Sequence, residues 1–337
     1  MQRETTKKNR KISLVVPLRN EEETLPTLFA SIARQTRQPD EIVLVDGGST
    51  DGTTALMRRL ADRDARIRIV EAGEATPGRG RNIGISTAAH EWVALTDAGL
   101  TLEPDWLEEL ARAAFADPDV EVVYGNYEPV TDTLFARCAA LAYPPPKQER
   151  AGGRMRGPST ASMMLRREVW QRLGGFPDLR AAEDLLFMQR IERAGCRVAW
   201  SPRATVWWQM QPGFRRTFRK FVLYSKHNVW AGLQADWHYG VARQYALYVP
   251  FVLLALVHRW WWLVPVVLLF AARVARAIWR RREGRDLLWA LHPVRFAGVA
   301  LVLLTIDAAT FVGWAQALRA ARPARADGTK VEGDSRL

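Results

Sequence analysis

Cysteine is nearly missing: Cys138 and Cys196 are the only two in 337 residues. That is too few for a disulfide framework or a cysteine-based zinc site, and it suits a reducing compartment. Histidine is also scarce, at five. His227 and His238 show no metal-ligand spacing with each other and read as interfacial side chains. The start, Met1 to Lys11, has no apolar run, so it reads as a loose polar tail and not a signal peptide. No internal repeat is visible, and 48% hydrophobic with 25% charged residues excludes a disordered chain. Acidic charge is what the back of the chain lacks. The net charge is +12, from 48 basic and 36 acidic residues. From Gly240 onward there are 14 basic and 6 acidic residues. That charge flanks apolar runs instead of covering a polar face, which argues for a membrane and against a nucleic-acid partner.

The front half reads as alternating strands and helices. Ile12 to Val16 and Glu41 to Val45 are short β-branched runs of the buried-strand type. Between them, Leu25, Leu28, Phe29 and Ile32 recur at helical spacing over 21–35. A helix over 53–62, a strand over 66–70 and a strand over 92–96 follow. Further on come a helix over 105–116, a strand over 120–125, helices over 167–173 and 183–194, and a strand near 197–200. Residues 143–158 read as a long Pro-rich, basic loop. This alternation implies βαβ units and an α/β, doubly wound, mainly parallel sheet. Ligands bind such sheets beyond the carboxyl ends of the strands.

Four polar clusters stand out, all but the third of them directly at such strand ends. They are Pro17-Leu-Arg-Asn20-Glu21, then Asp46-Gly-Gly-Ser-Thr-Asp51, then Gly78-Arg-Gly-Arg81-Asn82-Ile-Gly84, then Asp97-Ala-Gly99. Asp46 could accept hydrogen bonds from a base or ribose. Asp51 suits a cap for the helix at Thr53. The glycine-rich stretch around Arg81 offers bare amides and guanidinium donors suited to a diphosphate. Each cluster alone could be an ordinary βα turn; four in order are harder to dismiss.

The whole set, from Val-Val-Pro through Asn-Glu, Val-Asp-Gly-Gly-Ser-Thr-Asp-Gly-Thr, Arg-Asn-Ile-Gly and Asp-Ala-Gly to Glu183-Asp184, resembles glycosyltransferase family 2, the inverting GT-A enzymes. The resemblance covers about 11–210. It implies a GT-A-like mixed sheet and transfer of a sugar from a nucleotide-diphosphate sugar to a hydroxyl with inversion. It further implies that Pro17, Glu21 and Asp46 line the nucleotide pocket, and that Arg81 lies near the base or diphosphate. Asp97 matches the first position of the family's Asp-x-Asp motif, which holds a divalent metal, Mg²⁺ or Mn²⁺. Asp184 matches the family's base, with Glu183 as its support. The chemistry agrees: a metal offsets charge growing on the diphosphate, and a carboxylate takes the proton from the attacking hydroxyl. Gly99 replaces the second acid of the metal motif, and no histidine stands in the stretch 206–211. The Gln-x-x-Arg-Trp motif of processive synthases is missing, which favours single-sugar transfer. A non-catalytic nucleotide-sugar binder or assembly partner of a glycan pathway is the alternative.

Behind a transferase domain at 12–212, the basic aromatic segment 213–240 reads as lying on anionic lipid. A membrane region then spans 241–316, with runs at about 241–257, 260–278 and 296–314, before a tail at 317–337. The break at His258-Arg259 fits a tight helical hairpin, whereas a single kinked helix is the other solution. In the hairpin, Arg243 and Arg273 snorkel to cytoplasmic headgroups. These features predict a multi-pass cell-membrane protein with a cytoplasmic catalytic domain. Its acceptor is then a lipid-linked or cell-envelope glycan.

Overall fold

A computed structural model describes residues 10–320. Most of the tails expected at 1–11 and 317–337 lie outside the described residues. The front half opens with β1 (Ile12–Leu18), α1 (Leu25–Ala33), β2 (Glu41–Asp46) and α2 (Thr53–Ala61). It continues with β3 (Ile67–Glu71), α3 (Pro77–Thr87), β4 (Trp92–Leu95) and the short β5 (Leu100–Leu102). Next come α4 (Trp106–Ala116), β6 (Val122–Val130), α5 (Leu134–Ala142), β7 (Gln148–Arg150) and β8 (Gly153–Met155). The domain ends with β9 (Met163–Arg166), α6 (Arg167–Arg172), α7 (Glu183–Arg193) and β10 (Val198–Gln209).

Eight strands form one sheet in the order β3-β2-β1-β4-β9-β6-β10-β5. Its first four strands are parallel, with β1 between β2 and β4. β9 runs antiparallel between β4 and β6, and β5 runs antiparallel on the edge of β10. The sheet is therefore mixed and mainly parallel, the GT-A-like architecture expected. Alternate residues of each strand feed two cores. Ile12, Leu14 and Val16 pack with Leu28 of α1, Met57 of α2 and Trp106 of α4. Val15, Val43 and Val45 pack on the other face with Ile85 of α3 and Phe187 and Ile191 of α7. Burial on both faces is why β1 and β2 are almost wholly apolar.

Several segments differ from the sequence reading. β9 was not expected: four residues that run straight into α6 carry no alternation to distinguish them. The Pro-rich stretch 143–158 is not all loop, because Gly152 (φ 90°) and Gly153 (φ 137°) let β7 and β8 turn into a hairpin.

The remaining helices are α8 (Phe214–Trp230), α9 (Gln234–Val257), α10 (Leu263–Arg281), α11 (Leu287–Ala290) and α12 (Pro293–Arg319). Three stretches are long and apolar enough to cross a membrane: Gln234–Val257, Trp260–Arg281 and Pro293–Arg319. Many of their apolar side chains are uncovered, Val257 at 81% and Val267 at 64% exposure among them. The helix ends at His258, a 3₁₀ turn at Trp260–Trp262 follows, and α10 returns. Tyr245 of α9 and Arg273 of α10, on opposite sides of that turn, both bond Asp307 of α12. The chain thus reverses as a hairpin. Arg273 does not snorkel as expected, since Asp307 offers it a carboxylate within the helix group. A third core joins α5 to α10 and α12 through Cys138, Ala139, Val274 and Val299.

Candidate active site

The carboxyl ends of β1, β2 and β4 are neighbours, and the loops after them are laced together. Asn20 donates its N–H to Ser49 Oγ (2.9 Å) and accepts from Thr50 N–H (2.8 Å). Glu21 N–H donates to Thr53 Oγ1 at 2.8 Å. Asp51 is structural as expected, but it stands one residue before the N-cap Gly52 of α2 and accepts from the first helical amide, Thr53 N–H, at 3.1 Å. Asp46 is buried at the end of β2, where it accepts from Ser49 N–H (3.1 Å) and Oγ (2.6 Å) and from Thr54 Oγ1 (3.2 Å). A carboxylate has about four lone-pair sites, so acceptor capacity remains. Pro17 lies in β1 against α3. The Glu21 carboxylate accepts from Thr24 Oγ1. Burial raises its pKa, and the charges of Asp97 and Asp51 push the same way.

The stretch around Arg81 is not a loop of bare amides. It is helix α3, started by Pro77 and capped by Thr76 Oγ1, which accepts from Arg79 N–H at 3.2 Å. Its glycines serve close packing. A Cβ on Gly84 would stand 2.3 Å from Val15 Cγ1, and one on Gly78 would stand 2.1 Å from the Pro177 carbonyl. Bringing α3 this near to the sheet drives Arg81 into the site. Its Nη2 donates to Asp97 Oδ1 and its Nη1 to Glu183 Oε1, both at 2.7 Å. The guanidinium also stands 5.7 Å from the Phe176 ring centre. Asn82 fixes the segment leading to the base motif: its Oδ1 accepts from Phe176 N–H and Trp170 Nε1, both at 2.8 Å.

Glu183 and Asp184 open α7. Ala182 just before them has φ 69°, and Asn20 just before Glu21 has φ 57°. Left-handed non-glycine residues are uncommon and concentrate at functional sites. Burial pushes the Glu183 carboxyl up, to about 7, against the pull of Arg81; the charge of Asp184 adds to the rise. Asp184 is half-buried, and its Oδ1 accepts from Leu185 N–H at 2.8 Å.

Helix α8 supplies residues that the sequence reading missed. Lys220 Nζ sits 5.4 Å from the ring centres of both Trp208 and Tyr224, held by aromatic faces instead of a carboxylate. Burial lowers its pKa, while the nearby charge of Asp97 opposes that shift. Tyr224 is raised by burial and by the charges of Asp184, Glu183 and Asp97. The signal was available: Thr217, Phe221, Tyr224 and Asn228 form a helical stripe beneath the arginines. His227 and His238 are buried, not interfacial, and His238 Nε2 bonds Ser225 Oγ at 2.8 Å.

Among the described residues no three of His, Cys, Asp and Glu cluster to hold a metal. Asp97 is 42% exposed at its side chain, and one of its oxygens is on Arg81. That single carboxylate fits a Mg²⁺ or Mn²⁺ that keeps waters and takes phosphate oxygens; it does not make an all-protein cage.

Residues 13–174 match the family model described as glycosyl transferase family 2. The chain is 26% identical over 208 residues to the O-antigen chain rhamnosyltransferase RfbN of Salmonella typhimurium, covering 58% of this chain and 65% of that protein. It is 25% identical over 296 residues to the succinoglycan biosynthesis protein ExoA of Rhizobium meliloti, covering 81% and 86%. Other curated relatives are spanned over about half of their length or less. In fold, it matches the mannosyltransferase PcManGT of Pyrobaculum calidifontis, solved with GDP-Man and Mn²⁺. The TM-score is 0.56 at 21% identity, over 93% of this chain and 88% of that one. The chain therefore carries a glycosyl transferase family 2 domain over residues 13–174.

Proposed function

We propose that this protein is a multi-pass membrane glycosyltransferase. It moves one sugar from a nucleotide-diphosphate sugar to a hydroxyl of a lipid-linked, cell-envelope glycan, with inversion. The observation that carries this reading is the Arg81 bridge: one buried guanidinium holds Asp97 and Glu183, so the donor side and the base side meet at one point. Asp46, Pro17 and Glu21 surround the nucleotide. Asp97 would hold the divalent ion, which when bound offsets charge on the diphosphate. Lys220 adds a cation facing the same side, suited to a leaving group that gains negative charge. Asp184, half-buried and next to a carboxylate fixed by Arg81, takes the acceptor proton as that hydroxyl attacks from the opposite face. The three apolar helices attach the enzyme, and the arginines at 280–285 keep the connection from α10 to α12 and the catalytic domain on the cytoplasmic side.

Asp184→Asn tests the base. Turnover should fall about 10²–10⁴-fold, with donor affinity within a factor of about two. Near-normal turnover would exclude it. Excess chelator should likewise abolish turnover in the native protein, and Asp97→Ala should remove metal-dependent donor binding; full activity in chelator would overturn the metal role and leave the diphosphate to side-chain cations such as Arg81 and Lys220.

A further inference from the structure

Helix α7 carries the base motif in its first turn, and its next turns face a cavity of about 700 Å³. Leu185 and Met188 form that wall. Across from them stand Trp200 of β10 and Trp237 in the first turn of α9. Asn228, at the end of α8, borders the same space. It is 3% exposed, yet its Oδ1 accepts no hydrogen bond among the described residues. A buried carbonyl oxygen without a donor is costly in a folded protein, so its presence on a cavity wall points to a ligand that brings the donor.

The chemistry of the wall selects that ligand. Two indole rings offer flat apolar faces. The polar groups mix acceptors and donors: Asn228 Oδ1 and the carboxylates of Glu192 and Asp236 accept, while Gln189 and the Tyr124 hydroxyl can do both. Arg150 is the one cation among the lining residues, and its guanidinium lies 4.6 Å from the Trp200 ring centre. A hydroxyl-rich neutral ring satisfies such a wall, whereas a phosphate would face two carboxylates. Position decides the rest. Asp184 lies one turn before Met188, and Asp236 and Trp237 begin a candidate membrane span. The cavity therefore lies between the helix that carries the base and the helix that begins the first candidate span.

We propose that this cavity binds the glycan end of a lipid-linked acceptor, with Asn228 taking one of its hydroxyls. The inference rests on the transferase reading, and its test does not need turnover. The full-length protein in lipid nanodiscs is irradiated with a panel of octyl hexosides carrying a diazirine, and adducts are mapped by mass spectrometry. At least one hexoside should label 185–200 and 228–237 saturably, and Asn228→Leu and Trp237→Ala should each cut that labelling at least fivefold. A sugar-free octyl diazirine should not label these segments saturably. Labelling confined to 241–319, equal labelling by the sugar-free probe, or labelling unchanged in both variants would overturn the proposal. Binding of nucleoside diphosphates is measured on the same samples and shows that the variants are folded. If the native protein binds no nucleotide, the transferase reading fails, while the labelling pattern still decides the cavity.

Discussion

Arg81 and Arg273 each withdraw a carboxylate from water, yet they leave their partners in opposite states. Asp307 is 1% exposed at its side chain and paired on both oxygens: Arg273 Nη2 donates to Oδ1 at 2.8 Å, while Nη1 and Tyr245 OH share Oδ2. Neither oxygen is open to solvent, as expected where the surroundings are apolar helices. Arg81 is divided between two acids, and the ends are loose. Asp97 is 42% exposed, and Glu183 Oε2 and Arg81 Nε have no partner among the described residues. A saturated pair holds helices together, whereas unsatisfied buried groups beside an opening await a substrate.

The largest expected effect separates these roles. Arg81→Met strands Glu183 in a buried position, and removing one partner of such a pair costs about 3–5 kcal/mol. Thermal unfolding in detergent should drop accordingly, and turnover should vanish at temperatures where the variant is still folded. Arg81→Lys keeps the charge but cannot span two carboxylates, so it should fold and remain slow. Wild-type turnover by the lysine variant would show that the bridge is only structural.

The difference between the two pairs also marks what could be read in the sequence. β1 and β2 were legible because strands buried on both faces are continuous apolar runs. Asp97, Glu183 and Asp184 were legible through the order of their motifs. Helix α3 was not, since Pro-Gly-Arg-Gly-Arg argues against a helix on propensity. Its glycines answer to a contact with Val15 and Pro177 that only the folded chain contains. Helix α8 was read from its exposed arginines, and its buried stripe, which brings Lys220 and Tyr224 to the site, went unused. The Arg273–Asp307 pair went unread because Arg273 was weighed against headgroups instead of against the acid in the third run.

In the Arg273–Asp307 pair, Asp307→Leu should destabilise by about 3 kcal/mol, the lower end of the range for a broken buried pair, because Arg273 remains 23% exposed and finds other partners. Activity per folded molecule should stay near the native value. Joining it with Arg273→Met should recover most of the loss, since a charge-free replacement of similar volume is often neutral. A double variant no better than the single one would mean that the pair does more than join helices.

The smallest effect belongs to Tyr245. Its hydroxyl donates to Asp307 Oδ2 at 2.9 Å, on an oxygen that Arg273 already occupies. Tyr245→Phe keeps the ring and its edge-on contact with Phe311, 5.3 Å between centres, and deletes only that donor. The carboxylate remains paired, so the expected cost is about 0.5–1.5 kcal/mol, the net value of one hydrogen bond. If the hydroxyl acts only through Asp307, Tyr245→Phe should cost nothing further in the Asp307→Leu background. A double-mutant cycle on unfolding midpoints measures this; strictly additive losses would show that the tyrosine hydroxyl works independently of the ion pair.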